Sequence, residues 1–434
     1  MSHKEFSMHH PAPSAASRSA EAGSGFRDAL KQLSERRDPE QLAAWLRGHL
    51  FRHVLPFWER HAVDANGGLF TCIGDDGKIL DTNKWLWSQW RAVWVFAKVF
   101  NTLERRDIWL RLAKSTADFC LAHGWIEQDR GWALLLDQSG AVLRGCESTY
   151  VDAFAVYGLA ELYRATGSAT YQQWAVRTAD AAIEKLASPR DRIPHFPYPI
   201  PKGAKPQGIP MLWSLVLAEL GNALDEKKYI EAAHGLSEEI FRDHFDPEAD
   251  CVREFVSMGG GVFDAPEGRV VVPGHVIENM WFQMRVMELG GNSSVRDALT
   301  RRLILRHLEL GWDKKNGGLL LAVASDGSEP VAWGFAESKL WWPLTETLIA
   351  TLWAWIESGE EEFFQWYETV WQLCLRHYVD WEHGEWKQKL DRNFSPLHDT
   401  VALPVKDPFH LPRSLILQIE MLEGIHRSTA RNAT

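Results

Sequence analysis

Apolar positions along most of this chain recur with the 3.6-residue period of a helix that buries one face. In 84–103, Trp87, Trp90, Trp94 and Val95 share a face, and Arg91 falls among them. Such segments come in pairs, at 84–103 and 106–123, 147–165 and 169–187, 209–221 and 227–243, 275–290 and 293–309, and 337–356 and 361–378. With 40–61 before them and 409–426 after, the pattern predicts twelve helices.

Between the helix pairs, glycine and asparagine mark tight turns. Asn66-Gly67-Gly68-Leu69 is followed by Asp76-Gly77, and Asn316-Gly317-Gly318-Leu319 by Asp326-Gly327. Gly131-Trp132 precedes Ser139-Gly140, and Gly384-Glu385-Trp386 precedes Asp391-Arg392-Asn393. These residues tolerate positive φ, so each segment reads as strand, turn and strand. The leading glycines stand at 68, 131, 318 and 384, and the wide gap between 131 and 318 leaves room for two degenerate copies. Ile193–Gly208, rich in proline, and Cys251–Val272, apolar and rich in glycine, occupy it. Six units of about 60 residues predict a closed all-α toroid, an (α/α)6 barrel with short β-hairpins at one mouth. A helix begins after each hairpin, at Lys84, Glu147, Ile209, His275, Ser338 and Phe409. If these form the inner ring, their N-termini converge on the mouth, where partial positive charge favours a developing anion.

Composition narrows the partners. The chain has 434 residues, 45% hydrophobic and 24% charged, which suits a large core. A net charge of −11 disfavours unaided nucleic-acid or anionic-membrane binding. No apolar run is long enough to span a bilayer. Five scattered cysteines without a CxxC predict reduced thiols in a cytoplasmic setting. Residues 1–25, rich in Ala, Ser, Pro and Gly, read as a disordered tail, leaving 26–434 as one catalytic domain. The 22 tryptophans build core first, but such rings also make platforms for the C–H faces of sugars.

The mouth collects candidate chemistry. His275 and Glu278, in Pro273-Gly274-His275-Val276-Ile277-Glu278, are three apart and share a helix face, so the carboxylate can hold the imidazole in one tautomer. His410, in Asp407-Pro408-Phe409-His410-Leu411-Pro412-Arg413, is locked at a helix start, because Pro412 fits only a first turn. Trp341-Trp342 with Glu346 suits a sugar floor beside an acceptor, and Arg91 beside Trp87 needs an anion or a wet cavity. Tyr150 is a further polar candidate. Metal spacing, dinucleotide and phosphate-loop glycines and a nucleophile elbow are absent from the sequence, so no metal or cofactor is expected.

In this order the motifs resemble the N-acylglucosamine 2-epimerase family, from about residue 45 to 425. The resemblance is carried by Asp81-Thr82-Asn83-Lys84 with Gln89-Trp90-Arg91, by Pro210-Met211-Leu212, and by Pro273-Gly274-His275 with Glu278. Lys339-Leu340-Trp341-Trp342 with Glu346, Gly384-Glu385-Trp386 and Phe409-His410-Leu411-Pro412-Arg413 complete it. It implies an (α/α)6 barrel and epimerisation at C2 of an aldose or N-acylhexosamine, such as N-acetylglucosamine. It implies His275 and His410 as the paired acid and base, Glu278 as the group orienting His275, and Arg91 as the enediolate stabiliser. Trp341, Trp342 and Glu346 are implied as the sugar wall, and a homodimer as the assembly. The Pro210-Met211-Leu212-Trp213 segment is similar to the N-acetylglucosamine branch. Three departures lie near the mouth: Leu344 in place of a histidine, Lys387–Lys389 in place of an aromatic segment, and Lys406-Asp407-Pro408 in place of a Lys-Gly-x run.

An aldose–ketose isomerase would use the same residues. A glycoside hydrolase on the same toroid would need two carboxylates across a glycosidic bond, for which Glu278, Glu346 and Glu385 are available, but it leaves both histidines without a role. A non-catalytic binding scaffold would not need His275, His410 and Arg91 together.

Overall fold

In a computed structural model of the chain, residues 15–36, 38–290, 294–328 and 333–432 are described. Helix α1 (Ala15–Arg36) is followed by α2 (Glu40–His49) and α3 (Leu55–His61), which the π-helical turn Leu50–Val54 joins into one continuous rod. Then come α4 (Leu86–Lys98), α5 (Asp107–His123), α6 (Thr149–Thr166), α7 (Ala169–Leu186), α8 (Gly208–Leu224) and α9 (Lys227–Glu239). The series ends with α10 (Pro273–Gly290), α11 (Ser294–Gly311), α12 (Trp341–Ser358), α13 (Glu361–His377) and α14 (His410–Asn432). Helices α4, α6, α8, α10, α12 and α14 pack each on the next, and α14 returns to α4. The α2–α3 rod and α5, α7, α9, α11 and α13 cover them from outside. This is the expected toroid, and the helices that follow the hairpins are its inner ring.

Sequence explains which helix goes where. In α4 every residue but Lys98 is buried, and in α8 the whole run Gly208–Gly221 is. A helix that is apolar on all sides must be surrounded. In α13 only Phe363, Phe364, Tyr367, Val370, Trp371 and Cys374 are buried, a single stripe that suits an outer position. Pro273, Pro343 and Pro412 all lie in first turns, where the missing N–H costs nothing. Gly167 and Gly359, at φ 65° and 72°, end α6 and α12.

At the mouth, short strands tie each unit to the next. Lys84–Trp85 pairs with Leu135–Leu136, Ala204–Pro206 with Phe255–Ser257, Val270–Val271 with Val323–Ala324, and Lys339–Leu340 with Lys389–Leu390, all antiparallel. A bridge between Ser148 and His195 spans the remaining internal junction. The ring closes where the Lys406 N–H donates to the Thr71 carbonyl at 2.7 Å. The two Asn-Gly-Gly-Leu copies are the same device. Lys84 Nζ, fully buried, lies 2.7 Å from Asp64 and donates to the Gly67 carbonyl, while Lys339 Nζ, equally buried, lies 3.0 Å from Asp313. Gly68 and Gly318, at φ 74° and 81°, bend the chain around these lysines.

One expectation needs correction. Residues 15–25 are not a disordered tail but the first half of α1, which packs on α2 and α13. Phe26, Ala29, Leu30 and Leu33 recur at helical spacing and are buried, Phe26 meets Trp45 edge-on at 4.6 Å, and Trp45 Nε1 donates to the Ala22 carbonyl. The apolar stripe just beyond residue 25 provides the docking that outweighs the composition before it. The rest of the predicted tail, residues 1–14, lies outside the described residues. Among the described residues, no helix is long and apolar enough to cross a membrane.

Because Phe26 fills a fully enclosed site, Phe26→Ala is expected to lower stability by about 3–5 kcal/mol, read from urea unfolding followed by tryptophan fluorescence. An unshifted transition would mean that α1 does not pack on the barrel in solution.

Candidate active site

The mouth of the barrel opens into a pocket lined by Trp87, Arg91, Tyr150, His275, Glu278, Trp341, Trp342 and His410, eight of the nine residues singled out above. The ninth, Glu346, lies beneath it. Inner helices present their first two turns to the pocket: Trp87 and Arg91 come from α4, Tyr150 from α6, His275 and Glu278 from α10, Trp341 and Trp342 from α12, and His410 from α14. Loop residues close the sides, among them Tyr198, Phe255, Val401 and Leu403.

Trp342 contacts both imidazoles, with centroids 5.0 Å from His275 and 5.8 Å from His410, and Trp341 meets His410 edge-on. Each imidazole rests on a carboxylate through Nδ1. His275 Nδ1 lies 3.1 Å from Glu254 Oε2, and His410 Nδ1 lies 2.7 Å from Glu346 Oε1. An ionised carboxylate only accepts, so Nδ1 carries the proton in each ring and Nε2 is the nitrogen left to act.

Two expected roles change with this geometry. Glu278 is not the hydrogen-bond partner of His275. It sits one turn deeper, and its Oε1 accepts from Arg413 Nη2 at 2.5 Å. The partner is Glu254, from the hairpin that precedes α10, which the fold rather than helical spacing brings to His275. Glu346 is not part of a sugar wall. It is fully buried under His410, where it also accepts from Trp281 Nε1 at 2.9 Å and pairs with Arg413 at 2.8 Å.

Arg413 organises the floor. Its guanidinium lies between Glu278 and Glu346 and packs on Phe409 and Trp281. Glu278, Glu346 and His410 offer ligand atoms close enough together for a metal ion. The guanidinium already bridges the two carboxylates, so the charge a cation would neutralise is matched within the protein.

The two histidines are driven apart in basicity. Burial pushes the His410 imidazolium down to about 3, and the nearby Arg91 adds to this, so the ring rests neutral. Burial also opposes charge on His275, but the attraction and hydrogen bond of Glu254 outweigh it, and the net direction is upward. Arg91 is buried among Trp87, Phe154 and Phe409, with Phe154 4.1 Å from its guanidinium, and pairs with Asp407 at 3.3 Å. Tyr150 meets Trp87 edge-on at 5.4 Å.

A closed ring of helix pairs, with acid and base groups gathered at the inner N-termini, defines an (α/α)6-barrel enzyme. Residues 68–412 match the family described as N-acylglucosamine 2-epimerase (GlcNAc 2-epimerase). The human N-acylglucosamine 2-epimerase is 30% identical over 407 residues, spanning 91% of this chain and 95% of that one. A cellobiose 2-epimerase of Ruminococcus albus is 24% identical over 400 residues, spanning 84% of this chain and 95% of that one. The structure of cellobiose 2-epimerase from Bacillus thermoamylovorans superposes with a TM-score of 0.76 at 20% identity, covering 88% of this chain and 99% of that one. The chain belongs to the N-acylglucosamine 2-epimerase family, and with it to the isomerases.

Removing the guanidinium would leave Glu278 and Glu346 buried against each other. Arg413→Met is therefore expected to cost roughly 3–5 kcal/mol, measured by chemical denaturation. Equal stability of the variant would show that the two carboxylates do not depend on Arg413.

Proposed function

We propose that this chain is a sugar 2-epimerase, which inverts C2 of a free aldose or N-acylhexosamine without a metal or redox cofactor. The observation that carries this reading is the pair of imidazoles on Trp342, each with Nδ1 on a carboxylate and with basicities pushed in opposite directions. A carbon acid next to a carbonyl needs one neutral base and one charged acid at the same time.

In one direction, His410 Nε2 removes the C2 proton of the open-chain aldose. The C–H electron pair moves into the C1–C2 bond, and the carbonyl electrons move onto O1. Arg91, at the pocket wall, stabilises the resulting enediolate. His275 Nε2–H then donates its proton to the opposite face of C2, and the carbonyl re-forms. The product has the inverted centre, with His410 protonated and His275 neutral, which is the state that starts the reverse reaction. Trp341 and Trp342 provide the apolar surface against which the sugar's C–H face lies. The 30% identity to the human N-acylglucosamine 2-epimerase, together with the Pro210-Met211-Leu212-Trp213 segment, supports an N-acylhexosamine as the substrate.

Proton NMR in D₂O with N-acetylglucosamine, N-acetylmannosamine, glucose, mannose, lyxose and cellobiose is expected to show deuterium at C2 and a new 2-epimer. A ketose signal would identify an aldose–ketose isomerase instead. His275→Ala and His410→Ala should each lower exchange by about 10²–10⁴-fold with unchanged circular dichroism, and full activity in either would sink the two-histidine mechanism.

In this direction the reaction requires neutral His410 and protonated His275. Activity should therefore persist well below neutral pH and fall as pH rises through the raised His275 value. Glu254→Gln removes the charge that holds that value up, so the alkaline limb of kcat/KM should move to lower pH. A slower enzyme with an unmoved limb would restrict Glu254 to packing.

A further inference from the structure

Asp407 is a carboxylate at the mouth that the mechanism does not use. It stands in the Lys406-Asp407-Pro408 segment, where the sequence departs from the family's Lys-Gly-x run. The residue is 3% exposed yet lines the pocket. Its Oδ2 lies 3.3 Å from Arg91 Nη1, 3.4 Å from the His410 backbone N–H and 3.9 Å from His410 Nε2. Its Oδ1 is buried and has no hydrogen-bond partner. The backbone beneath it is held on both sides by one amide: Asp407 N–H donates to Gln388 Oε1 at 2.8 Å, and Gln388 Nε2 donates to the Asp407 carbonyl at 3.0 Å. A clamped backbone and a shared Arg91 fix the carboxylate, and a buried acceptor without a donor is costly unless a ligand supplies one.

We propose that Asp407 Oδ1 accepts a hydrogen bond from the C3 hydroxyl of the sugar and so selects substrates that carry it. This rests on the reading of the pocket as a sugar 2-epimerase site. The donor must lie close to C2, because Asp407 lies within 3.9 Å of the nitrogen that removes the C2 proton. In the reacting aldehyde, O1 is an acceptor, and in the enediolate it is anionic, so a carboxylate repels it in both states. The substituent on C2 changes sides when the centre inverts, so one fixed acceptor cannot hold it in both epimers. The C3 hydroxyl keeps its configuration and remains a donor at every stage. Such a bond is made equally in ground and transition states and therefore acts on KM rather than kcat.

The test compares N-acetylglucosamine with its 3-deoxy analogue, and glucose with 3-deoxyglucose, in the wild type, Asp407→Ala and Asp407→Asn. C2–deuterium exchange gives the kinetic constants, and quenching of tryptophan fluorescence gives binding independently of chemistry. In the wild type, loss of the hydroxyl should raise KM and Kd about 10–100-fold with kcat nearly unchanged. In Asp407→Ala the two sugars should become nearly equal. Asp407→Asn, which can still cap α14, should fall between, and it carries the test if the alanine variant does not fold. The same 3-deoxy penalty in wild type and variants, or none in the wild type, would overturn the proposal. Binding without C2 exchange would refute the epimerase reading alone, since the binding ratios still decide the role of Asp407. A protein that binds neither sugar pair would overturn both.

Discussion

Closure of the inner ring is the constraint on which the rest of the structure depends. Inner helices such as α4 and α8, buried around nearly their whole circumference, have no solvent-facing side, and a ring with a second layer outside covers them. A ring has no free edge, so the junction between α14 and α4 must be made as well as the other five. The strand pairs at the mouth repeat that requirement, down to the bond between Lys406 and Thr71 that joins the last unit to the first. Each inner helix then presents its N-terminus to one space, and the pocket is a consequence of closure.

Within that space, charge is arranged in layers. At the bottom, Arg413 holds Glu278 and Glu346 together. Above it, Glu346 supports His410 without making it cationic, because burial and Arg91 oppose the proton. At the start of α10, Glu254 from the preceding hairpin supports His275 and does make it more basic. The same pairing of imidazole with carboxylate thus gives two different resting states, and the difference lies in which other charges surround each pair.

Much of the site was legible because helix N-termini are legible. Pro273-Gly274 before His275 and Pro412 after His410 mark first turns, and a toroid sends first turns to one mouth. Side-chain partners across elements were less legible. Glu278 is the natural partner of His275 by helical spacing, but it pairs with Arg413, and Glu254 arrives from a hairpin 21 residues away in sequence. Glu346 followed the tryptophan pair closely enough to suggest a sugar contact, yet its place on α12 is a turn too deep. Arg413 and Asp407 flanked His410 in plain view, but nothing local distinguished a buried clamp from a solvated charge. Helix α1 was hidden by the composition of residues 11–25, although Phe26, Ala29, Leu30 and Leu33 already carried the stripe that docks it.

Local spacing along the chain set the period of the helices, their number from 40 onward, the sixfold repeat and the identity of the residues at the inner first turns. All of these depend on local spacing, and spacing of 3.6 or of about 60 residues survives in one dimension. Ring closure settles which carboxylate serves which histidine, which charges lie buried together, and therefore which imidazole rests neutral. Those outcomes depend on distance and desolvation between elements far apart in the chain, and neither quantity exists until the ring is closed.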